Sequence, residues 1–265
     1  MSRLTLKQLR DMKSHGEKIA VLTAYDASFA SLLDDNGVDV LLVGDSLGMV
    51  CQGHDSTLPV SMDDMAYHCA NVVRGSQRSY IIVDLPYQSY TTVEQTVENS
   101  RRLLTEGGAQ MVKLEGGQQQ ITNIEALVEQ GIPVCGHLGL EPQSVHEPDG
   151  YKVQGRDEDS AARILNDAKL LQQAGIQLLV LECIPASLGK LISATVSIPV
   201  IGIGAGVECD GQVLVTYDML GISRGHKAKF VKNFLQGQSD IESAVRAYVD
   251  EVKQARYPAR EHSYQ

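Results

Sequence analysis

The amino-acid sequence predicts a parallel (β/α)8 barrel, also called a TIM barrel. It contains eight short segments that are almost continuously apolar, as strands buried on both faces of a sheet are. Helical patterns separate most of these segments, so strand and helix alternate along the chain. The length of 265 residues also suits this fold, since barrels of about 250 residues form one domain. Together these three observations favour a closed barrel over an open doubly wound sheet.

The strand candidates are rich in valine, isoleucine and leucine, which suit a strand that is covered on both sides. In chain order they are Ile19–Leu22, Val40–Val43, Tyr80–Val83, Met111–Leu114, Val134–Gly136, Leu178–Leu181, Val200–Ile203 and Val213–Val215. The last unit is the weakest, because Val207–Gly211 leaves little room for a full helix before strand eight.

The predicted helices have recognisable starts or ends. Ser61 followed by Asp64 is close to a capping box, and Gly37 and Gly175 directly follow two of the helical patterns. One amphipathic helix precedes the first strand and another forms the tail. The predicted helices are Thr5–Lys13, Ala27–Asn36, Met62–Arg74, Thr92–Glu106, Gln118–Gln130, Asp157–Ala174 and Ile241–Arg256.

No linker, low-complexity tract or charge run divides the chain. We therefore expect residues 1–265 to form one barrel domain with a short N-terminal helix and a C-terminal helical extension. The longest irregular segment, residues 141–155, contains two prolines and two glycines and follows strand five. We expect this segment to be either a lid over an active site or an ordinary surface loop.

Composition excludes several classes of function. The net charge of −10 argues against nucleic acid as a partner, and the absence of tryptophan argues against a base-stacking platform. No segment approaches the roughly 20 apolar residues that span a bilayer. The N-terminus has no apolar signal core, and the five cysteines are scattered without CxxC spacing. We expect a cytoplasmic protein with reduced thiols and no membrane partner.

Charged and polar residues stand at the predicted ends of successive strands. They are Asp45 and Ser46 after strand two, Asp84 after strand three, Lys113 and Glu115 in strand four, His137 in strand five and Glu182 after strand six. In a parallel barrel these positions converge on the mouth that holds the catalytic groups. Each residue alone has a plainer interpretation as a cap, a turn, a surface group or a structural histidine. Buried together, they would be costly without a ligand.

A carboxylate cluster of this kind prefers a hard cation, with Mg²⁺ first and Mn²⁺ or Co²⁺ as substitutes. An α-keto acid suits the open positions on such a metal, which then acts as a Lewis acid and stabilises an enolate. Lys113 would add positive charge near the enolate oxygen, and Glu182 would take the proton. Ser46 either offers its hydroxyl to the substrate or only shapes the turn.

A glycine-rich segment, Gly202–Gly206, has a weak likeness to a phosphate-binding loop. Its glycines lack the spacing of the dinucleotide fingerprint and come late in the chain. Barrels do bind phosphate after strands seven and eight, so a phosphate site stays open. Close packing of the backbone at the barrel rim is the favoured interpretation.

Across most of its length the chain closely resembles the ketopantoate hydroxymethyltransferase family. The motifs that carry the resemblance are Leu22–Asp26, Val43–Met49, Asp84–Pro86, Val112–Gly117, Gly136–Leu140, Gly150–Arg156, Pro199–Gly206 and Asp218–Gly221. They occur in the order that the family has, and as a set they are highly specific.

The resemblance implies a barrel of the phosphoenolpyruvate mutase/isocitrate lyase group, assembled as a homodecamer. It implies transfer of a hydroxymethyl group from 5,10-methylenetetrahydrofolate to 3-methyl-2-oxobutanoate, giving 2-dehydropantoate for pantothenate synthesis. By position it assigns Asp45, Asp84 and Glu115 as ligands of one Mg²⁺ per subunit, Asp45, Ser46, Asp84 and Lys113 as keto-acid contacts, His137 as a pocket residue and Glu182 as the proton acceptor.

Two rival functions remain. The first is a related Mg²⁺-dependent carbon–carbon or phosphorus–carbon lyase or mutase that acts on a 2-oxo acid. Those lyases generally use a catalytic loop that carries a cysteine, and neither Cys135 nor Cys183 has that setting. The second is a barrel that binds or assembles without catalysis, which the intact set of charged residues disfavours.

Overall fold

A computed structural model describes residues 3–144, 152–223 and 227–265. Eight parallel strands, each paired with its sequence neighbours and the last with the first, close into a barrel. The strands are β1 (Ile19–Thr23), β2 (Val40–Val43), β3 (Tyr80–Asp84), β4 (Met111–Glu115), β5 (Val134–Gly139), β6 (Leu178–Glu182), β7 (Val200–Ile203) and β8 (Gly211–Leu214). This confirms the predicted fold class.

Several strands run further than predicted at their carboxyl ends. Asp84, Glu115 and Glu182 continue the strand hydrogen bonding of β3, β4 and β6. The apolar pattern stops before them because their side chains serve the site and not the core. At β8 the predicted start at Val213 was wrong, since Gly211 already pairs with β1. A Cβ atom there would lie 2.4 Å from a backbone oxygen of β1, so only glycine fits.

The helices lie mostly where the sequence predicts them. Ser61 and Asp64 form the expected capping box, with the hydroxyl accepting from the backbone N–H of Asp64. The helices are α1 (Leu6–His15), α2 (Ala27–Asp35), α3 (Leu47–Val50), α4 (Met62–Gly75), α5 (Val93–Thr105), α6 (Ile121–Glu129), α7 (Glu158–Ala174), α8 (Ala186–Thr195), α9 (Thr216–Met219) and α10 (Ile241–Lys253). Helix α6 is shorter than predicted because Gln118–Gln120 form a separate 3₁₀ turn.

Helix α8 was missed in the sequence, because Gly189 interrupts its pattern. In the structure that glycine is the contact point, since a Cβ atom would lie 2.1 Å from the carbonyl oxygen of Ala205. The helix can therefore pack directly on the chain that leaves β7. Between β7 and β8 residues 204–210 form turns and bends without a helix, as the short spacing predicts.

The apolar core has two layers. The larger one lies between the strands and the surrounding helices, and it includes Tyr248 of α10, whose hydroxyl donates to the carbonyls of Val21 and Gln212. The smaller one fills the barrel interior and is covered at the amino-terminal end by Leu9 and Met12 of α1. The barrel interior is thus a packed core, and the carboxyl-terminal mouth is where barrels of this kind place their sites.

Within the described ranges, no helix is long and apolar enough to cross a bilayer. The irregular segment predicted after β5 lies partly outside the described residues, at 145–151. Before that gap the chain forms a 3₁₀ turn, Pro142–Ser144, which packs into the barrel mouth.

Candidate active site

The strand ends bring the predicted site residues together at the barrel mouth. Asp45, Asp84, Lys113, Glu115 and His137 are each between 3% and 5% exposed. Glu182 lies beside them with its side chain 14% exposed. Four carboxylates, one ammonium and one imidazole therefore share a space that is largely shielded from water.

Strand register creates two of the ion pairs. Asp84 of β3 is the direct neighbour of Lys113 on β4, and Glu115 of β4 is the direct neighbour of His137 on β5. The Lys113 Nζ atom lies 2.9 Å from Asp84 Oδ1, and His137 Nδ1 lies 3.3 Å from Glu115 Oε1. Opposite charges on facing positions of adjacent strands are held at contact distance by the backbone itself.

Lys113 is the fixed positive charge of the mouth. Burial opposes its charged form, but the carboxylates of Asp84, Glu115 and Asp45 outweigh burial and raise the pKa of Lys113. Burial raises the pKa of Asp84 despite the ammonium beside it. The second oxygen of Asp84 accepts the backbone N–H of Asp45 at 3.1 Å, which joins the ends of β2 and β3.

Asp45 is the least compensated carboxylate. Burial, followed by the charges of Asp84 and Glu115, raises the pKa of Asp45 to about 8. No lysine or arginine side chain of the described residues forms an ion pair with it within 4 Å. Near neutral pH this carboxyl group therefore tends to keep its proton, and a cation bound beside it would displace that proton into solvent.

His137 connects the two halves of the mouth. Its Nδ1 atom faces Glu115, and its Nε2 atom lies 3.3 Å from Glu182 Oε2. Burial and the Lys113 ammonium oppose a charged imidazole, but the two carboxylates raise the pKa of His137 to about 9. Burial opposes the charged form of Glu115, but His137, Lys113 and the backbone N–H of Gln143 together lower its pKa. His137 is thus a bridge between carboxylates and not an isolated structural histidine.

The backbone has an unusual conformation directly after Glu182, at the end of β6. Cys183 adopts a left-handed conformation with φ of 50°, which is uncommon for a residue other than glycine. Gly139 is the partner of Glu182 on the neighbouring strand β5, and a Cβ atom on it would lie 2.2 Å from the carbonyl oxygen of Glu182. The close approach of β5 and β6 at this point sets where the Glu182 side chain leaves the strand.

Ser46 stands at the edge of the mouth, at the start of α3. Its hydroxyl is 2.8 Å from the hydroxyl of Tyr25, and it makes no capping hydrogen bond to the helix. Tyr25 in turn stacks on Tyr217 with ring centroids 5.8 Å apart. Ser46 is therefore next to Asp45 but belongs to a hydroxyl pair of its own.

Two residues in the site were missed in the sequence. Gln143 follows β5 and is 2% exposed, with its side-chain Nε2 atom 2.7 Å from Asp45 Oδ2. Tyr90 follows β3 and donates its hydroxyl to Gln143 Oε1 at 2.5 Å. Neither residue is charged or lies at a strand end, so no pattern marks them. The only available signal was the irregular segment that contains Gln143.

The glycine segment after β7 is used for close packing. A Cβ atom on Gly204 would meet the ring of Phe230 at 2.7 Å, and one on Gly206 would meet Ala186 at 2.6 Å. These contacts bring the start of α8 and the segment around Phe230 against the barrel rim. They support the packing interpretation over a phosphate loop.

The donor chemistry of the mouth fits a hard divalent cation, since the oxygens belong to carboxylates and the negative charges outnumber the positive ones. The present side-chain positions do not enclose one: no group of three His, Cys, Asp or Glu side chains in the described part of the chain could hold a metal ion. Asp84 and Glu115 instead face Lys113 and His137, while Gln143 contacts Asp45. The mouth therefore has the charge and the ligand type that such a cation needs, and the Lys113 and His137 side chains would have to withdraw from Asp84 and Glu115 to admit it.

Comparison with known proteins gives a consistent result. The sequence model of ketopantoate hydroxymethyltransferase matches residues 3–260. The 3-methyl-2-oxobutanoate hydroxymethyltransferase of Nitrosococcus oceani is 60% identical over 264 residues, covering 100% of both chains. The enzyme of the same name from Shewanella piezotolerans is 57% identical with the same coverage.

Solved structures with this fold are more distant in sequence. Phosphoenolpyruvate phosphomutase from Streptomyces platensis superposes with a TM-score of 0.62 at 13% identity, covering 82% of this chain and 83% of that chain. The 2,3-dimethylmalate lyase, a member of the PEP mutase/isocitrate lyase superfamily, gives 0.57 at 17% identity and 82% coverage of each chain. Phosphonopyruvate hydrolase, solved with oxalate and Mg²⁺, gives 0.61 at 11% identity, covering 80% of this chain and 81% of that chain.

The structural matches confirm the barrel fold. The sequence matches extend over the strands and turns that carry the buried charged cluster, from Asp45 after β2 to Glu182 on β6. On this evidence the chain belongs to the ketopantoate hydroxymethyltransferase family.

Proposed function

We propose that this enzyme transfers a hydroxymethyl group from 5,10-methylenetetrahydrofolate to 3-methyl-2-oxobutanoate and forms 2-dehydropantoate. Full-length relatives that carry the name 3-methyl-2-oxobutanoate hydroxymethyltransferase support the keto acid and the reaction class. The folate donor, the cytoplasmic location and the homodecamer expected from the resemblance belong to the same proposal.

The observation that carries the proposal is the uncompensated charge at Asp45. Removing a carboxylate from water is costly unless a cation or hydrogen bonds replace the water. Here burial and two neighbouring carboxylates raise the pKa of Asp45 to about 8, so the mouth favours a bound proton or cation. A divalent ion next to a keto acid would supply the positive charge that this arrangement lacks.

Asp45, Asp84 and Glu115 are the residues that would hold one Mg²⁺ per subunit, directly or through water. All three present oxygen donors within one buried cluster, and oxygen donors are what Mg²⁺ prefers. Phosphonopyruvate hydrolase, which shares the fold, was solved with Mg²⁺ and oxalate, a planar two-carboxylate ligand. When bound, Mg²⁺ supplies Lewis acidity that favours the enolate of a 2-oxo acid over its ketone.

Glu182 is the group that we assign as the proton acceptor at C3 of the keto acid. His137 Nε2 lies 3.3 Å from the Glu182 Oε2 atom, close enough for charge attraction but without hydrogen-bond geometry, and we assign Oε1 as the oxygen that receives the proton. A protonated His137 fixes the Glu182 carboxylate and links it to Glu115. Lys113, held at 2.9 Å from Asp84, keeps positive charge in the mouth where negative charge develops on the substrate oxygen.

The purified protein should convert 3-methyl-2-oxobutanoate and methylenetetrahydrofolate to 2-dehydropantoate only when a divalent cation is present. Product formation is measured by mass spectrometry with Mg²⁺ and with a chelator. The control is incubation with isocitrate-type and phosphonopyruvate-type substrates, which should remain uncleaved. Cleavage of those substrates without hydroxymethyl transfer would instead favour a lyase or mutase that acts on a 2-oxo acid.

Glu182→Gln should abolish exchange of the C3 proton of 3-methyl-2-oxobutanoate with solvent deuterium, because the amide cannot accept that proton. Its affinity for Mn²⁺ should stay close to that of the unmodified enzyme, because Glu182 is not among the proposed ligands. NMR measures the exchange without folate. Glu208→Gln, an exposed carboxylate on the turn before β8, is the matched control and should exchange normally. Undiminished exchange in Glu182→Gln would remove Glu182 as the base.

The metal-free enzyme should lose stability as the pH rises from about 6 to 9. Folding raises the pKa of Asp45 to about 8 and that of His137 to about 9, so the native state holds protons that the unfolded chain releases. Their stabilisation is complete below the unfolded pKa values and is lost as the pH passes 8 and 9.

Between pH 6 and 8 the free energy of unfolding of Asp45→Asn should fall by about 1–3 kcal/mol less than that of the unmodified enzyme. Urea unfolding without metal measures this difference. Asp35→Asn, a substitution of an exposed carboxylate at the end of α2, is the control and should follow the unmodified enzyme. Equal slopes for Asp45→Asn and the unmodified enzyme would contradict the raised pKa of Asp45.

A further inference from the structure

Gln143 makes more contacts with the strand ends than its position in a connecting segment suggests. Its backbone N–H donates to Glu115 Oε2 at 3.0 Å, and its side-chain Nε2 atom donates to Asp45 Oδ2 at 2.7 Å. The same nitrogen donates to the carbonyl of Leu85 at 2.9 Å. One residue thus joins the ends of β2, β3 and β4, at 2% exposure.

We propose that Gln143 is a positioning residue for Asp45 and Glu115 and that Tyr90 holds its amide in place. The inference rests on the proposed function, because it assigns Gln143 a part in forming the cation site. It concerns residues that lie outside the set of ligands, base and substrate contacts described above.

The hydrogen bonds permit only one orientation of the Gln143 amide. Nε2 faces two acceptors, the Asp45 carboxylate and the Leu85 carbonyl, while Oε1 accepts the Tyr90 hydroxyl. A flipped amide would place its oxygen against the Asp45 carboxylate and the Leu85 carbonyl, neither of which can donate a hydrogen bond when Asp45 is ionised. The side chain is therefore locked, and a locked donor can fix the rotamer of the carboxylate that it contacts.

The Gln143 side chain carries no charge, and this matters as much as the contacts that it makes. An arginine or lysine at this place would also bind Asp45 and Glu115, but its charge would compensate them and reduce their attraction for a cation. A glutamine amide and a backbone N–H orient the carboxylates while leaving the negative charge available. Hydrogen-bond partners of this kind behind metal-ligating side chains typically account for 10–100-fold in metal affinity.

Tyr90 is itself anchored to the scaffold. Its backbone carbonyl accepts the side-chain amide of Asn123, near the start of α6, at 3.0 Å. Its hydroxyl is the one side-chain donor within the described residues that contacts Gln143 Oε1. Removing that hydroxyl should loosen the Gln143 amide while keeping both hydrogen-bond donors that face the Asp45 and Glu115 carboxylates.

The test is calorimetric titration of the purified, metal-free enzyme with Mn²⁺, in the absence of substrate. Gln143→Met keeps the volume and the backbone N–H but removes the side-chain donor, and it should weaken Mn²⁺ binding by about 10–100-fold. Tyr90→Phe should weaken it by about three- to tenfold, the effect of one hydrogen bond. Combined with Gln143→Met, Tyr90→Phe should add nothing, because it acts through the amide.

Gln154→Met is the matched control, since Gln154 lies in the same connection between β5 and α7 and, among the described residues, its side chain donates to the Lys152 carbonyl at 3.1 Å and not to a carboxylate of the mouth. It should leave the affinity unchanged. If the unmodified enzyme binds no Mn²⁺, the proposed cation site fails and this inference fails with it. If the unmodified enzyme binds Mn²⁺ and Gln143→Met binds equally or more tightly, the inference alone is overturned. Should Gln143→Met not fold, Tyr90→Phe decides: unchanged affinity overturns the proposal and weakened affinity supports it.

Discussion

The structure depends on how buried negative charge is compensated at the barrel mouth. Four carboxylates meet one ammonium and one imidazole in a space that is nearly closed to water. Lys113 and His137 offset part of this charge, and a proton on Asp45 offsets more, as its raised pKa indicates. A divalent cation would replace that proton and remove the remaining repulsion. The site is thus least stable in its empty, fully ionised form, which is the property a cation-dependent enzyme needs.

The barrel makes this arrangement possible because strand register does the positioning. Asp84 faces Lys113 and Glu115 faces His137 as direct neighbours in adjacent strands, so their distances are set by backbone hydrogen bonds. Below them the interior is packed with aliphatic side chains and closed by α1. The charged groups therefore rest on a rigid apolar base, and Gln143 contacts them from the connection above the mouth.

Much of this could be predicted from the sequence, for physical reasons that differ between elements. Strands buried on both faces leave a continuous apolar signature, and a lysine two residues before a glutamate in such a strand places both on one face. Lys113 and Glu115 therefore allowed a site at the barrel mouth to be predicted from the sequence. Gln143 and Tyr90 left no such trace, because a neutral side chain in a connection is ordinary until the fold brings it to a carboxylate. Helix α8 could not be predicted for a related reason. Gly189 weakens its helical pattern, but the absence of a side chain there lets the helix pack against the carbonyl of Ala205.

Membership of the ketopantoate hydroxymethyltransferase family separates this chain from the lyases and mutases that share its barrel, since those matches are at 11–17% identity and carry the fold alone. The central claim is that Asp45, Asp84 and Glu115 gather around a divalent ion beside the keto acid. Anomalous diffraction from crystals soaked with Mn²⁺ and 3-methyl-2-oxobutanoate tests it most directly. We expect a single strong peak among these three carboxylates, with Lys113 and Glu182 flanking the bound acid. A peak elsewhere, or the acid bound in the mouth with no ion near Asp45, would contradict the account.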